Sequence, residues 1–321
     1  MSQFAFRLGL TVLPTRQGSI RLFRFQGIDV FIHWSWIFVA VYQINTRQGG
    51  YSSLVWSVLE YLTLFVIVLM HEFGHALACR SVGGKADQIV LWPLGGVAYV
   101  NPPQRPGAYL WSIVAGPLVN VALAPVFLGV WFVGSGMGWS ESMPDLSKFI
   151  FHINFINLGL LIFNLLPIYP TDGGQILRGL LWFLIGPARS LVAASIVGLV
   201  GVVGLIALAA WQGSVWIGVI ALFILLNCGR GLLRGLAMAR LAKAPRRPGF
   251  ACPACQLAPP QGKFWVCGKC SHIFDAFETL TNCPKCGYQF NATRCLDCGA
   301  LNPISNWIVP APSAGPVPPR V

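Results

Sequence analysis

Residues 54–79 read LVWSVLEYLTLFVIVLMHEFGHALAC, and this stretch decides the fold. It is longer than the roughly 20 apolar residues that an α-helix needs to cross a bilayer. Three neighbouring polar side chains, His71, Glu72 and His75, lie near its C-terminal end. The stretch therefore predicts a membrane-spanning helix with ionisable groups at membrane depth, where such groups are costly and mark functional sites.

The whole chain has the composition of a membrane protein. Of its 321 residues, 55% are hydrophobic and 10% are charged, against about 25% charged in a typical soluble domain. Six apolar runs predict spans, at residues 30–44, 54–79, 108–133, 149–166, 190–210 and 215–236. No compact apolar stretch with a cleavage site precedes Gly27, so we expect the first run to remain in the mature protein. The predicted fold class is an α-helical polytopic membrane protein with about six transmembrane helices.

The basic residues predict how these spans are oriented. A net charge of +12 is compatible with nucleic-acid binding, because basic patches attract phosphate. If the N-terminus is cytoplasmic, however, all of the 22 Lys and Arg except Arg47 and Lys148 lie on the cytoplasmic side. This pattern predicts a multi-pass protein of the cell or inner membrane with both termini in the cytoplasm, and it argues against nucleic acid as a partner.

Two segments outside the spans predict short β-strands at the membrane surface. Residues 19–29 (SIRLFRFQGID) alternate apolar and basic side chains, and residues 88–100 (QIVLWPLGGVAYV) form a second candidate. Gly95 and Gly96 beside Pro93 favour a turn, which would make the second segment a hairpin. An interfacial loop is the alternative for that segment.

The motif at residues 71–75 is His-Glu-Phe-Gly-His. On a helix, positions i and i+4 share one face, so His71 and His75 can bind one zinc ion. Glu72 then lies beside the metal, where it can act as the general base toward a water molecule. A chance match is the alternative, but burying these three side chains in a membrane helix would be costly without a ligand.

A catalytic zinc usually takes three protein ligands, so one more is needed. With six spans, the fourth brings residues 164–174 (NLLPIYPTDGG) to the depth of the two histidines, and its prolines and glycines break the helix there. Asp172 is the favoured third ligand, ahead of Asp29 and Asp87, although it could instead cap the following helix. Asn164 is a candidate donor to the oxyanion of the reaction. Three further asparagines can serve as links between helices: Asn120, Asn154 and Asn157.

These motifs resemble the site-2 protease family of intramembrane metalloproteases, over about residues 19–240. That family combines HExxH on one transmembrane helix with N-x-x-P-x-x-x-x-D-G on another. The matching residues are His71, Glu72, His75, Asn164, Pro167, Asp172 and Gly173, and the stretches GIDVFIHWSW, PLGGVA and GPLVN also resemble the family. The resemblance implies cleavage of a transmembrane segment of another membrane protein, releasing a regulator into the cytoplasm. It also implies that an unwound substrate adds to a strand edge.

The chain departs from that family after the last span. Neither a PDZ-like domain nor a nucleotide-sensing pair of CBS modules is apparent in the sequence, and eight cysteines follow instead. They form four C-x-x-C pairs: Cys252 and Cys255, Cys267 and Cys270, Cys283 and Cys286, Cys295 and Cys298. We interpret them as two closed four-cysteine zinc sites made by adjacent pairs, with interleaved pairing as the alternative. Iron is the rival metal, whereas disulfides are disfavoured in a reducing cytoplasm.

The sequence thus predicts one catalytic and two structural Zn²⁺ ions. The predicted segments are a cytoplasmic arm with a surface strand (1–28), a membrane metalloprotease core (29–240), a basic linker (241–249), a double zinc-ribbon-like domain (250–301) and a Pro-rich disordered tail (302–321). The expected partners are a transmembrane protein substrate, the lipid bilayer and a protein that binds the zinc-ribbon-like domain. The alternative functions are a membrane metal transporter or sensor, and a catalytically silent scaffold.

Overall fold

The computed structural model describes residues 18–38, 40–41, 50–92 and 95–309. The α-helices whose bounds lie within these ranges are α1 (Leu54–Ser81), α2 (Pro106–Gly136), α3 (Trp139–Ser142), α4 (Pro144–Leu165), α5 (Asp172–Gln212) and α6 (Val215–Lys243). Contacts divide the chain into two compact units, one ending at Leu236 and one resuming at Ala237. We call them the membrane unit and the C-terminal unit.

Within the described ranges, five helices are long and apolar enough to cross a membrane: α1, α2, α4, α5 and α6. Large apolar side chains also point outward from them; Val200 and Val203 on α5, for example, are 69% and 67% exposed. Such a surface is unfavourable in water and suits lipid. The prediction of a polytopic helical membrane protein is therefore confirmed, and the five helices coincide with the second to sixth predicted spans.

The first predicted span, residues 30–44, is wrong at its start. Residues 30–33 belong to a β-strand rather than to a helix, and helical residues begin at Trp36. Ile28 and Val30 are fully buried, and Val30, Phe31 and Ile32 are consecutive apolar residues, so this part of the strand is easily taken for the start of a span. Residues 39 and 42–44 lie outside the described ranges.

Helix α5 contains a sharp break. Gly186 has φ 78° and ψ 171°, and Pro187 follows it. This backbone conformation is one that glycine adopts readily, and proline cannot donate the next helical hydrogen bond. Residues 172–185 therefore form a separate helical segment, and residues 187–212 form the part that matches the fifth predicted span.

A four-stranded sheet lies beside α1, with strands β1 (Ser19–Phe25), β2 (Ile28–His33), β3 (Lys85–Trp92) and β4 (Gly95–Asn101) in that order. The pairs β1–β2 and β3–β4 are antiparallel, and β2–β3 is parallel. The hairpin interpretation of residues 88–100 is confirmed. Residues 19–29 are not one strand, because positive φ angles at Gln26 and Gly27 turn the chain.

The sheet packs on the C-terminal half of α1. Ile28, Ile89 and Leu91 are fully buried and belong to one core cluster with Ala76 and Cys79 of α1. This is the half of the helix that carries the HEFGH motif. The packing consequently brings β4 next to Glu72.

The turn between α4 and α5 depends on two glycines. A Cβ at Gly173 would overlap the carbonyl oxygen of Leu165, and one at Gly174 would overlap the backbone of Tyr169. Only glycine permits so close an approach of the first turn of α5 to the end of α4. The turn places Asp172, the first residue of α5, beside α1.

The C-terminal unit is built around cysteines and aromatic side chains. Its short strands are β5 (Trp265–Val266), β6 (Ile273–Phe274), β7 (Thr293–Arg294) and β8 (Leu301–Asn302), followed by a 3-10 helix at Ile304–Trp307. Trp307 is 1% exposed and contacts the ring of Phe277. Residues 302–309 are thus part of this unit, which corrects the prediction that a disordered tail begins at 302. Residues 310–321 lie outside the described ranges.

The segment predicted as a basic linker makes bonds within the same unit. Arg246 forms two hydrogen bonds to the Asp297 carboxylate, at 2.7 and 3.1 Å. Arg247 is paired with the buried Asp275 at 2.7 Å. Two of the basic residues after α6 therefore belong to folded structure.

Candidate active site and metal centres

Three side chains from α1 and α5 converge on one point in the membrane unit. Asp172 Oδ2 lies 2.9 Å from His71 Nε2 and 3.3 Å from His75 Nε2, and the two Nε2 atoms are 3.1 Å apart. Ligand atoms at 2.0–2.1 Å from a tetrahedral zinc are about 3.3 Å apart. All three residues are buried, and their donor set suits zinc. The arrangement can therefore hold one Zn²⁺ ion and leave a fourth position open.

Both imidazole rings are held from behind by α2. His71 Nδ1 is 2.7 Å from Asn120 Oδ1, and His75 Nδ1 is 2.9 Å from the carbonyl oxygen of Ser112. In each ring Nδ1 therefore faces a hydrogen-bond acceptor, and Nε2 faces the other two ligands. Metal-binding histidines commonly use this arrangement, in which the outer partner fixes ring orientation.

Gly116 lets α2 approach this site. A Cβ at that position would overlap His75 Nε2, which is the ligand atom itself. Gly74 of α1 makes a similar approach from the other side, because a Cβ there would lie 2.7 Å from the carbonyl oxygen of Ala115. The two glycines therefore permit an approach of α1 and α2 at the site that a side chain at either position would block.

We expect Gly116→Ala to remove the metal from this site, because the new methyl group would displace the His75 ring. Gly129→Ala is the matched control, since Gly129 lies on the same helix and a Cβ there meets no atom within 4 Å. Zinc analysis of the purified full chain should show about one ion fewer for Gly116→Ala only. Equal zinc content in the two variants would contradict this reading of the α1–α2 contact.

Glu72 lies next to the three ligands and is held by the sheet. The backbone N–H of Ala98 in β4 donates to Glu72 Oε2 at 2.7 Å. A Cβ at Gly96 would overlap the Glu72 side chain, so the glycine lets β4 pass close to it. The carboxylate is buried and oriented, and it is rotated about 100° around α1 from His71. This position fits a base that acts on a water molecule rather than a metal ligand.

Of the acidic candidates for the third ligand, the structure brings only Asp172 to the histidines. Asp29 is paired with Arg21 at 2.8 Å, and the Asp87 side chain is 82% exposed, 3.9 Å from Arg80. Asn164 is half-buried in the last turn of α4, and its catalytic role stays a prediction. Sequence analysis left Asn120 without a role at the metal site. Its signals were an amide in an apolar helix and its place in the GPLVN stretch, which resembles the family.

The eight cysteines form two clusters, but the adjacent pairing is wrong. One cluster contains Cys252, Cys255, Cys295 and Cys298, and the other contains Cys267, Cys270, Cys283 and Cys286. The first C-x-x-C pair therefore shares a cluster with the fourth, and the second pair shares one with the third. This nested pairing differs from the interleaved alternative as well. The reason is that the two ends of the unit lie side by side: Ala251 N–H donates to the carbonyl of Trp307 at 2.7 Å, and Val309 N–H to that of Gly249 at 3.1 Å.

Sulfur distances in both clusters suit a tetrahedral metal. The distances are 3.7 Å for Cys252–Cys298, 3.8 Å for Cys255–Cys295, and 3.6 Å for both Cys267–Cys286 and Cys270–Cys283. Four sulfurs at about 2.3 Å from a central zinc are about 3.8 Å apart. A disulfide would require about 2.05 Å. The clusters can therefore each hold one metal ion.

All four C-x-x-C pairs share one local backbone pattern. The residue after each pair has a positive φ, and its N–H donates to the carbonyl of the first cysteine; these residues are Gln256, Ser271, Gly287 and Gly299. The turn aims backbone amides at the sulfur, as where Lys269 N–H donates to Cys267 Sγ at 3.4 Å. Burial opposes ionisation of Cys267, but the N–H groups of Cys270 and Lys269 outweigh it and lower the pKa of the thiol to about 6. A thiolate is the form that binds metal.

Comparison with known proteins agrees with this geometry. The chain matches Peptidase family M50 over residues 60–145 and 137–208. It is 34% identical over 184 residues to Zinc metalloprotease MJ0392 of Methanocaldococcus jannaschii, covering 56% of this chain and 50% of that protein. MJ0611 of the same organism is 40% identical over 160 residues, covering 40% of this chain and 78% of that protein. Stage IV sporulation protein FB of Bacillus subtilis is 33% identical over 118 residues, covering 36% and 38%.

A solved structure shows the same fold. The Site-2 Protease from Methanocaldococcus jannaschii matches with a TM-score of 0.50 and 28% identity, covering 67% of this chain and 95% of that one. The chain spans about half the length of MJ0392. The matched residues 60–145 and 137–208 contain the whole HEFGH motif and Asp172. The chain thus belongs to peptidase family M50, the site-2 protease family.

Proposed function

We propose that this chain is an intramembrane zinc metalloendopeptidase that hydrolyses peptide bonds in or near transmembrane segments of other membrane proteins. The observation that carries the proposal is the convergence of His71 Nε2, His75 Nε2 and Asp172 Oδ2 within 3.3 Å of one another, with Glu72 beside them. These groups lie on helices long and apolar enough to cross a membrane. Membership of peptidase family M50 supports the same reaction.

In this proposal each polar side chain of the site has one role. His71, His75 and Asp172 would hold a zinc ion, which would supply Lewis acidity toward water and the scissile carbonyl. Glu72 takes the proton of the attacking water and passes it to the leaving amine. Asn164 donates a hydrogen bond to the oxyanion.

Strand β4 is the proposed docking edge for the substrate. One edge of β4 pairs with β3, and Ala98 N–H on the other edge reaches Glu72 at 2.7 Å. A substrate added beside that edge would be extended, and its backbone would pass the catalytic base. Extension is required because a helical backbone keeps its carbonyls in intrahelical hydrogen bonds, which shields them from attack.

Cleavage of a single-span substrate in cells tests the function. The substrate carries a tag on each side of its span and is co-expressed with the wild type, with Asp172→Ala or with Asp87→Ala as the control. We expect cleavage within the span by the wild type and by Asp87→Ala, and loss of cleavage together with about one zinc ion in Asp172→Ala. Undiminished cleavage by Asp172→Ala would overturn the assignment of the third ligand and the mechanism with it.

We further propose that both termini lie in the cytoplasm. The support is the distribution of Lys and Arg, because spans of alternating direction would bring the basic residues around Arg80, Arg178 and Arg234 to one side of the membrane. A reporter that is active only in the cytoplasm should be active when it is fused after Arg247, and a reporter that is active only outside the membrane should not. Activity of an extracytoplasmic reporter at that point would reverse the topology.

A further inference from the structure

We propose that Asn120 is a positioning residue that fixes the proton of His71 on Nδ1, and that Asn157 acts through Asn120. The inference rests on the proposed zinc site, because it concerns how His71 is prepared to bind metal. Neither asparagine lies within the ligand set. Both are buried, at 0% and 1% exposure, so bulk water does not compete for their hydrogen bonds.

A backbone carbonyl fixes the orientation of Asn157. Asn157 Nδ2 on α4 lies 3.0 Å from the carbonyl oxygen of Asn120 on α2. A carbonyl oxygen only accepts hydrogen bonds, so the amide nitrogen of Asn157 must face it. The side-chain oxygen of Asn157 is thereby turned toward the Asn120 side chain. The rotation of the first amide group is fixed.

The orientation of Asn157 in turn fixes that of Asn120 and the tautomer of His71. Asn157 Oδ1 lies 2.8 Å from Asn120 Nδ2, which has to donate to it. Asn120 must therefore present Oδ1 to His71, and this oxygen lies 2.7 Å from Nδ1. Because that oxygen only accepts, Nδ1 carries the proton, and the neutral ring keeps its lone pair on Nε2.

This orientation matters because Asp172 favours the opposite arrangement. Asp172 Oδ2 is 2.9 Å from His71 Nε2, so a proton on Nε2 would form a hydrogen bond to the carboxylate and block the ligand atom. His75 avoids the problem because its Nδ1 faces the backbone carbonyl of Ser112 at 2.9 Å. The backbone carbonyl of Ser112 keeps the proton of His75 on Nδ1. For His71, the side-chain amides of Asn120 and Asn157 have that role.

Three variants separate positioning from helix packing. Asn120→Leu removes the acceptor for His71. Asn120→Asp keeps an acceptor but sets a carboxylate oxygen against Asn157 Oδ1, so it should weaken the fold while preserving the hydrogen bond to His71. Asn154→Leu is the matched control, because Asn154 also links α4 to α2, through Nδ2 and the carbonyl of Phe127 at 3.1 Å, without contacting His71.

The readout is the affinity of the full chain in detergent for Zn²⁺, measured by competition with a chromophoric chelator. The Asp172→Ala chain supplies the background from the cysteine sites. We expect the dissociation constant of the membrane site to rise about 10- to 100-fold in Asn120→Leu. It should stay within about threefold of wild type in Asn120→Asp and Asn154→Leu. The midpoint of thermal unfolding without metal should fall in Asn120→Asp, so stability and zinc affinity should not change in parallel.

Coupling between the two asparagines completes the test. If Asn157 acts only through Asn120, the double variant Asn120→Leu with Asn157→Leu should bind zinc as weakly as Asn120→Leu alone. Unchanged affinity in Asn120→Leu, or affinity that follows stability across all variants, would overturn the inference and leave the proposed protease intact. Absence of zinc from the membrane site of the wild type would instead overturn the proposed function.

Discussion

Glu72→Gln is expected to abolish peptide hydrolysis while leaving the zinc content of the chain unchanged. The glutamate moves a proton in the proposed mechanism, and loss of such a base typically lowers the rate 10²- to 10⁴-fold. The amide oxygen of the glutamine can still accept from Ala98 N–H, so the position beside β4 should be retained. Rates on a single-span substrate and zinc analysis of the same preparation measure both effects.

A zinc-loaded Glu72→Gln chain that cleaves its substrate at the wild-type rate would be incompatible with the protease mechanism. Loss of zinc in this variant would mean that the carboxylate contributes to binding the metal. His71→Ala is the companion variant, because it should lose both activity and the ion. The pair separates the chemistry of the base from the integrity of the site.

The second large effect concerns the cysteines, and it depends on which pairs share a metal. The wild type should contain three zinc ions, one in the membrane unit and two in the C-terminal unit. Because Cys252 and Cys295 lie in one cluster, the double variant Cys252→Ser with Cys295→Ser should lose no more zinc than Cys252→Ser alone. The double variant Cys252→Ser with Cys267→Ser should lose one ion more, because Cys267 belongs to the other cluster.

The same variants should lose structure in the C-terminal unit. Its core consists of cysteines together with a few aromatic side chains such as Trp265 and Trp307, and in such small units the free energy of metal binding is folding free energy, about 10 kcal/mol or more per ion. Limited proteolysis after chelation should therefore degrade this unit and leave the membrane unit intact. Adjacent pairing would be indicated if the pair Cys252 and Cys267, rather than Cys252 and Cys295, behaved as one site.

The parts of the site that the sequence predicted are those with a local physical cause. Helical spacing places His71 and His75 on one face whatever surrounds them. Asp172 could be ranked ahead of Asp29 and Asp87 as the third ligand, because it follows the end of the fourth predicted span that lies at the depth of the histidines. The strand at residues 28–33 was only partly predicted, because residues 30–32 are apolar without interruption and so lack the alternation that marks a strand.

Other features depended on contacts that spacing does not encode. The four C-x-x-C pairs have identical internal spacing, so only the meeting of the two ends of the unit selects the nested pairing. Asn120 and Asn157 are 37 residues apart, and nothing near either one indicates that together they orient His71. The sequence could place amides in membrane helices, but not decide which of them reaches the site.

The nested arrangement of the cysteine clusters fixes the order in which each cluster has all of its cysteines during synthesis. We call Cys267, Cys270, Cys283 and Cys286 the inner cluster and the other four cysteines the outer cluster. All four sulfurs of the inner cluster are present once the ribosome has added Cys286. The outer cluster has to wait for Cys295 and Cys298, although its first two cysteines are the earliest to be made. A nascent chain can thus take up one ion locally while Cys252 and Cys255 still wait for their partners. The closing of the outer cluster then marks the moment at which the two ends of the unit are joined.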